Sequence, residues 1–257
     1  MTLMRVGHFK SIPWIPPYAA HDAWPVTFVD CVSSTVIDLL RQVDVTPMAT
    51  VDWFPRQQDW CRLENHGLWI RERAGSVLLF SPWPIEQLGG KEIAISDETS
   101  TSVRVLHALL TGKYGLSLGT WRRGVVENDQ HTPRLLIQNQ AVHEIARRRF
   151  EYVYDLGHEW RKWQGVPLVP AVWVYRRGLS SDKTRFIADL LDSSLGEFSE
   201  RTGVHIESHR HRNGWTASTQ TVERLLRNFE YRMNVEAERG LEAMRSELPV
   251  VLPQLIK

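Results

Sequence analysis

The chain of 257 residues is 42% hydrophobic, which suffices to bury a substantial core in one large or two medium domains. Its 31 Lys and Arg residues are balanced by 30 Asp and Glu residues, which argues against a nucleic-acid partner or an anionic membrane surface. No apolar run approaches the roughly 18 residues that span a bilayer, and the N-terminal stretch lacks the apolar core of a secretory signal. We therefore expect a cytoplasmic protein without a nucleic-acid or membrane partner.

The first half of the chain is predicted to alternate between strands and helices. The predicted order is a strand in MRVGHF, a helix in SSTVIDLLRQ, strands in VDVTPMATV and SVLLFS, a short helix and a strand in PWPIEQLGGKEIAIS, and a helix over residues 101–110. The prolines of IPWIPP end the first strand because they lack the amide hydrogen that a central strand requires.

The second half continues the alternation and then becomes helical. It begins with a strand in RLLIQ, a helix in QAVHEIARRRF, a strand end and a helix in VYDLGHEWRKWQGVP, and a strand in LVPAVWVYRR. Helices are predicted from residue 181 onward, in KTRFIADLLDSSLGEFSERTG, STQTVERLLRNFEYRM and VEAERGLEAMRSEL. This alternation predicts an α/β protein with largely parallel sheets.

Residues 96–105, SDETSTSVRV, crowd hydroxyl groups at the start of the helix that follows the strand EIAI. Ligands of open α/β sheets bind beyond the carboxyl ends of strands, and a helix N-terminus offers unpaired amides and partial positive charge. We therefore predict a carboxylate or phosphate site that includes Ser100, Thr101 and Ser102, with the two acids of the stretch directed away. The alternative is an ordinary capped helix that binds nothing.

Two segments carry motifs of a known family. Residues 75–110, GSVLLFSPWPIEQLGGKEIAISDETSTSVRVLHALL, place P-I-x-x-L-x-G-K between a strand and a T-S-V helix, and residues 154–177, YDLGHEWRKWQGVPLVPAVWVYRR, contain D-L-G-x-x-W. In this order they resemble the menaquinone-biosynthesis chorismate dehydratases. The resemblance implies a periplasmic-binding-protein-like (type II) fold, in which two α/β lobes enclose a central ligand cleft.

The resemblance also implies where the lobes meet. The first lobe would comprise residues 1–82 plus 170–257 and the second residues 83–169, with crossings near 81–84 and 165–170. We expect SVLLFS and VPAVWVYRR to run side by side through this hinge.

The family's reaction removes water from chorismate and gives 3-enolpyruvylbenzoate. The resemblance therefore implies a cofactor-independent lyase, a dehydratase acting on chorismate or a related small cyclic or enolpyruvyl carboxylate. Aromatisation supplies the driving force, so neither a redox cofactor nor a metal is expected. HIESHRHRNGW contains three histidines, two of which alternate across a stretch that we interpret as extended. No Cys or carboxylate partner completes a defined ligand set, so we expect no metal site here.

The resemblance assigns substrate-binding residues position by position. Ser76, Thr101 and Ser102 match family positions that line the cleft and hold a substrate carboxylate. Asn139 falls on a position where the family has an aspartate.

Other cleft positions depart from the family. Pro13 replaces an asparagine and Ala49 a small hydroxyl residue, and a site that loses polar groups is expected to change its preferred ligand or its reaction. His8, at the end of the first strand, is a candidate catalytic acid or base, and the alternative is a structural histidine bonded to the backbone. Two other functions stay open: a same-fold enzyme recruited to a secondary-metabolite pathway with altered chemistry, and a non-catalytic carboxylate-binding protein.

Overall fold

The computed structural model describes residues 3–31, 36–124 and 129–249. The strands, in chain order, are β1 (Arg5–Phe9), β2 (Thr27–Cys31), β3 (Val45–Ala49), β4 (Trp60–Ile70), β5 (Val77–Ser81), β6 (Ile93–Ile95), β7 (Trp121–Arg123), β8 (Arg134–Ile137), β9 (Tyr152–Asp155), β10 (Leu168–Arg176) and β11 (Phe229–Arg232). The helices are α1 (Val36–Leu39), α2 (Thr50–Trp53), α3 (Thr101–Ala108), α4 (Gln138–Arg147), α5 (Leu156–Gln164), α6 (Ser181–Glu200), α7 (Thr202–Asn213), α8 (Thr219–Leu226) and α9 (Val235–Glu247). The hydroxyl residues 33–35 that begin the predicted helix SSTVIDLLRQ lie outside the described residues.

The strands of the described ranges form two mixed sheets. Six of them make a first sheet in the order β11-β4-β10-β3-β1-β2, and five make a second sheet in the order β7-β6-β8-β5-β9. β1 runs parallel to β2 and β3, whereas β10 is antiparallel to both β3 and β4, and β5 is antiparallel to β8 and β9. The prediction of largely parallel sheets is wrong, because β10 returns from the second sheet and enters the first against the direction of its neighbours.

The chain passes between the two sheets twice. It leaves the first sheet after Ile70 and enters the second at Val77, and it returns between Asp155 and Leu168. The first change of sheet therefore comes before the expected lobe boundary at residue 82, because β5 pairs within the second sheet. The expectation that β5 and β10 run side by side is wrong, since they belong to different sheets.

Asp155 fixes the first connection between the sheets. This residue caps α5 by accepting a 3.1 Å hydrogen bond from the amide of His158. Its carboxylate also accepts bonds of 2.9 and 2.7 Å from the amides of Ala74 and Gly75. One carboxylate thus satisfies backbone donors of a helix start and of a connecting segment that would otherwise lie unpaired.

The second connection is held between α2 and α9. Thr50 Oγ1 donates a 2.5 Å bond to the carbonyl of Val169, whose own amide lies 3.2 Å from the sulfur of Met244. At Gly240, an added Cβ would lie 2.3 Å from the carbonyl oxygen of Pro167. Glycine is therefore required on α9 for the helix backbone to reach the connection.

The core of the first sheet is built around β10, whose sequence LVPAVWVYR is almost continuously buried. Trp173 is 1% exposed and packs edge-on against Trp14 and Tyr18, at centroid distances of 6.1 and 5.6 Å. Such a strand is covered on both faces, which explains why its sequence does not alternate. No helix in the described part of the chain is long and apolar enough to cross a membrane.

Two segments of the C-terminal half differ from the predicted elements. The stretch predicted as the helix STQTVERLLRNFEYRM stops at Leu226, and its last residues form β11, which pairs with β4 at the edge of the first sheet. The segment HIESHRHRNGW, read as extended, lies mostly in α7, which ends at Gly214 in the left-handed conformation, with φ 62°. Pairing to a distant strand overrides local helix preference at β11.

Candidate functional site

A cavity of about 70 Å³, here called the inner cavity, lies between the two sheets. Phe9, Trp14 and Met48 contribute an apolar wall from the first-sheet side, and the start of α3 contributes a polar wall from the second-sheet side. Pro13 and Ala49 also lie in the wall, so the two replacements that remove polar groups fall within the site. The inner cavity is therefore a mostly apolar chamber with polar groups concentrated at one helix start.

A second, more polar cavity of about 430 Å³, here called the outer cavity, adjoins the first. The two share the lining residues Phe9, Glu98 and Gln138. Of these two cavities, Lys10 and Asn139 line the outer one and not the inner one. Together the cavities suit a ligand with a small apolar ring and a polar substituent.

Ser100 and Thr101 line the inner cavity, but their hydroxyl hydrogens are already used. Ser100 Oγ donates a 2.6 Å bond to the carboxylate of Asp52 in α2, and Thr101 Oγ1 donates a 2.9 Å bond to the carbonyl of Pro170 in β10. Both bonds connect the start of α3 to the first-sheet side. These two hydroxyls therefore hold the cleft together and do not donate to a ligand in this arrangement.

Ser76 and Ser102 carry the hydroxyls that remain free for a ligand. Ser76 is 1% exposed, lines the inner cavity, and its Oγ has no hydrogen-bond partner. Ser102 lines the same cavity, and its Oγ bonds to none of the residues within 3–31, 36–124 and 129–249. A buried hydroxyl without a partner is costly, and a bound acceptor would satisfy it.

The first turn of α3 adds backbone donors to these hydroxyls. Ser100 occupies the N-cap position without capping the helix through its side chain, so the amides of Thr101 and Ser102 have no partner within the helix. The helix N-terminus also carries partial positive charge. Hydroxyls and amides that converge in a partly apolar chamber form a suitable site for a carboxylate.

The structure places His8 outside both cavities. His8 is 8% exposed, its Nδ1 lies 3.1 Å from Asp30, and its ring stacks on His21 at a centroid distance of 5.1 Å. Burial lowers the pKa of His8 below its ordinary value, against the opposing effect of the bond to Asp30. Because side chains alternate along a strand, it is the next residue, Phe9, that faces the cleft. His8 thus lines neither cavity, and its role as the catalytic acid or base stays a prediction.

The remaining predicted residue, Asn139, lies apart from the serines. It belongs to the first turn of α4 and lines the outer cavity, whereas the structure brings Ser76, Ser100, Thr101 and Ser102 together at the inner one. Gln138, which sequence analysis did not identify, lines both cavities. Its backbone N–H donates a 2.7 Å hydrogen bond to the carbonyl of Ser76. Gln138 has a positive φ of 53°, which changes the direction of the chain between β8 and α4. The sequence does not reveal this backbone conformation.

The position of Glu98 differs from the expected one. The acids of SDETSTSVRV were expected to point away from the ligand, yet Glu98 lines both the inner and the outer cavity. Asp97 lines neither of them. The polar wall of the site therefore combines hydroxyl groups, free amides and one carboxylate.

The histidines of α7 have protein partners. His209 is buried, with Nε2 3.1 Å from the carbonyl of Lys10, and His205 and His211 lie near the carboxylates of Glu197 and Glu207. In the part of the chain that the structure describes, no three His, Cys, Asp or Glu side chains are grouped so that they could hold a metal.

Several solved structures resemble the whole chain. An Archaeoglobus fulgidus protein superposes with a TM-score of 0.77 at 14% identity, covering 95% of this chain and 96% of its own. The alkanesulfonate-binding protein of Xanthomonas axonopodis pv. citri, bound to MOPS, has a TM-score of 0.57 at 15% identity, covering 96% and 94%. A Candida albicans protein with the generic periplasmic-binding-protein fold has a TM-score of 0.62 at 12% identity, covering 96% and 91%. The predicted periplasmic-binding-protein-like fold is thereby confirmed.

The family follows from a match over nearly the whole sequence. The model of the family described as "Menaquinone biosynthesis" matches residues 4–248, which include every residue of the inner and outer cavities. The two motif-bearing segments, 75–110 and 154–177, both fall within this match. The chain belongs to the menaquinone biosynthesis family.

Proposed function

We propose that the protein is a cofactor-independent lyase that removes water from chorismate or a related small cyclic carboxylate. Membership of the menaquinone biosynthesis family supports this class of substrate. The observation that carries the proposal is the unpartnered Oγ of Ser76, which is 1% exposed and lines the same cavity as the free first turn of α3. A ligand carboxylate would satisfy these donors.

The substrate ring would lie in the inner cavity. Ser76, Ser102 and the amides of the first turn of α3 would hold the ring carboxylate, while Phe9 and Trp14, whose ring centroids lie 5.6 Å apart, would together cover one side of the ring. Fixed donors that need no reorganisation favour reaction in such a site. The aromatic product supplies the driving force, so the residues need only position the substrate and move one proton.

The outer cavity would receive the second carboxylate of an enolpyruvyl substrate. Lys10 and Asn139 line it, and the Lys10 ammonium lies 2.5 Å from a carboxylate oxygen of Asp30. Asp30 and Glu98 also line the outer cavity, so Lys10 is partly neutralised, and this mixture of charged and amide groups favours a polar substituent over an apolar one. The two cavities together thus suit a cyclic acid with a polar substituent better than a simple benzoate.

A second candidate is a carboxylate-binding protein without turnover. Pro13 and Ala49 favour it, because both line the inner cavity at positions that offer a ligand no side-chain hydrogen bond. A same-fold enzyme with another reaction on a small aromatic or enolpyruvyl acid is the corresponding catalytic alternative, and the same replacements favour it.

Incubation with chorismate decides between these candidates. We expect an aromatised product, followed by its ultraviolet spectrum and by mass spectrometry, and a rate at least tenfold lower for Ser76→Ala. Ser193→Ala, on the exposed face of α6, is the matched control and should react at the wild-type rate. A ligand-induced melting shift without product would indicate the binding protein, and neither shift nor product would refute the proposal.

A further inference from the structure

A groove of about 700 Å³, here called the α4–α8 groove, lies outside the cleft between helices α4 and α8. Helix α4 follows β8 of the second sheet and α8 precedes β11 of the first, so elements of both sheets border the groove. Among the described residues, none that lines this groove also lines the inner or the outer cavity. Small-molecule sites occupy roughly 300–1,000 Å³, so the groove is large enough for a ligand of its own.

The apolar part of the groove lining is aliphatic. Val142, Ile145 and Ala146 lie on one face of α4 because they follow the i, i+3, i+4 spacing of a helix. Ile145 is 47% exposed, whereas Leu225 of α8 is 9% exposed and belongs to a buried cluster against which Val142 packs. Within the described ranges, no Phe, Tyr or Trp side chain lines the groove. Such a lining favours an alkyl chain over a planar ring that would stack.

The charged part of the groove lining is cationic. Arg147 and Arg224 line the groove, and none of its described lining residues is Asp or Glu. The exposed Arg224 makes no hydrogen bond or ion pair with the residues that the structure describes, whereas Arg227 at the end of the same helix donates a 2.7 Å bond to Glu223. The Arg224 guanidinium is therefore available to an anion, and its planar donors match the geometry of a carboxylate.

We propose that the α4–α8 groove is a second ligand site, and that its ligand is an aliphatic monocarboxylate. The carboxylate accepts hydrogen bonds from the Arg224 guanidinium, while the alkyl chain covers Ile145 and the neighbouring aliphatic side chains. Binding is favoured because the chain removes the exposed part of Ile145 from water. The ligand contacts helices that belong to different sheets and so stabilises their present arrangement. Binding there involves no residue of the proposed dehydration.

Octanoate is the probe, titrated into the protein by calorimetry. 1-Octanol has the same chain without the charge, and we expect it to bind at least about tenfold more weakly. Decanoate should bind roughly tenfold more tightly than octanoate, because each additional buried methylene strengthens binding about threefold to fourfold.

The variants compare Arg224→Gln with Arg227→Gln. Both changes remove one exposed positive charge at the end of α8, but Arg227 does not line the groove. Arg224→Gln should weaken octanoate binding about tenfold, the usual effect of losing a hydrogen bond between charged groups, whereas Arg227→Gln should keep the wild-type affinity. Both variants should keep nearly the wild-type melting temperature, because exposed side chains contribute little to stability.

A variant of the cleft shows where octanoate binds. Ser102 lines the inner cavity and not the groove, so Ser102→Ala should leave the affinity for octanoate unchanged. A loss of octanoate affinity in Ser102→Ala would place the ligand in the cleft and refute the second site. Absence of octanoate binding, equal affinities for octanoate and 1-octanol, or equal losses in the two arginine variants would refute it as well. None of these measurements involves turnover of chorismate, so the proposed dehydration stands or fails separately.

Discussion

Ser100 and Asp52 are joined by a 2.6 Å hydrogen bond that ties the residue before α3 to helix α2. Beside it, Thr101 Oγ1 bonds to the carbonyl of Pro170 at 2.9 Å. The start of α3 is thus attached to the first-sheet side at two points while its free amides line the inner cavity. The contacts that join α3 to the first-sheet side and the groups of the proposed anion site therefore lie in the same first turn of the helix.

Removing this connection should destabilise the protein. In Ser100→Ala the Asp52 carboxylate loses its short hydrogen bond and, among the described residues, keeps only the Arg104 guanidinium, at 3.8 Å. We expect the free energy of unfolding, measured in urea, to fall by about 2 kcal/mol, the usual contribution of a hydrogen bond to a charged group. The exposed control Ser193→Ala should change it by less than about 0.5 kcal/mol. Equal stability of the two variants would show that the connection does not hold the cleft.

Ser76→Ala should separate stability from binding. The Ser76 hydroxyl is buried without a partner, so its removal should leave the free energy of unfolding unchanged or raise it by about 1 kcal/mol. Affinity for a carboxylate ligand, measured by calorimetry with the aromatised product, should fall about tenfold.

The matched control is another buried serine. Ser194 is 0% exposed, and its Oγ accepts a hydrogen bond from the amide of Ala20 at 3.2 Å. Ser194→Ala should therefore lose about 1 to 3 kcal/mol of stability and keep ligand affinity. Similar losses of stability in both serine variants would contradict the finding that the Ser76 hydroxyl has no hydrogen-bond partner.

Ser102→Ala tests the anion site at the helix. Since Ser102 lies inside the first turn and caps nothing, its replacement by alanine should leave the melting temperature nearly unchanged. One hydrogen bond to a charged ligand contributes about 1.5–3 kcal/mol, so affinity should fall roughly tenfold or more. Lost stability with unchanged affinity would mean that this stretch only starts a helix.

Stability should depend on pH through His209. Burial lowers the pKa of this side chain to about 4, and the positive charges of His8, His21 and Arg212 act in the same direction. In the unfolded chain the pKa returns to about 6.5, so the unfolded state binds the proton first and stability is lost as the pH falls from about 6.5 toward 4.

Between pH 7.5 and pH 5.0 this difference amounts to about 2 kcal/mol of unfolding free energy. Urea titrations at the two pH values should show this loss in the wild type and a smaller one in His209→Gln. His211→Gln, in which the exposed histidine of the same helix is replaced, should retain the full wild-type loss. A wild-type pH dependence that survives in His209→Gln would show that other groups cause it.

The sequence predicted much of the fold because its signals are local. The helix starts at Thr101 and Leu156 follow a strand end, and in the second case an aspartate cap, within the motifs that also carry the family resemblance. The edge strand β11 was missed because its pairing with β4 depends on a strand far away in the chain. The direction of β10 was missed because only the return of the chain from the second sheet determines it.

The sequence pointed to a stretch that borders the cleft, but it did not reveal the contacts that the side chains of this stretch make. The stretch SDETSTSVRV does line the cleft, yet the use of each hydroxyl depends on partners 48 and 69 residues away, at Asp52 and Pro170. His8 and Phe9 show a second limit of predicting a site from sequence. Alternation along a strand predicts that adjacent side chains face opposite sides, but it does not tell which side borders the ligand.

The central position of β10 in the first sheet affects the order in which the protein can fold. All strands of the second sheet lie in one uninterrupted segment, residues 77–155, whereas β3 and β4 must wait for β10 to be synthesised before they are joined. During translation the second sheet can therefore be complete while the first still has a gap at its middle. A nascent chain that ends before residue 168 would expose the open edges of β3 and β4 to other chains, and the cleft could not form before β10 joins them.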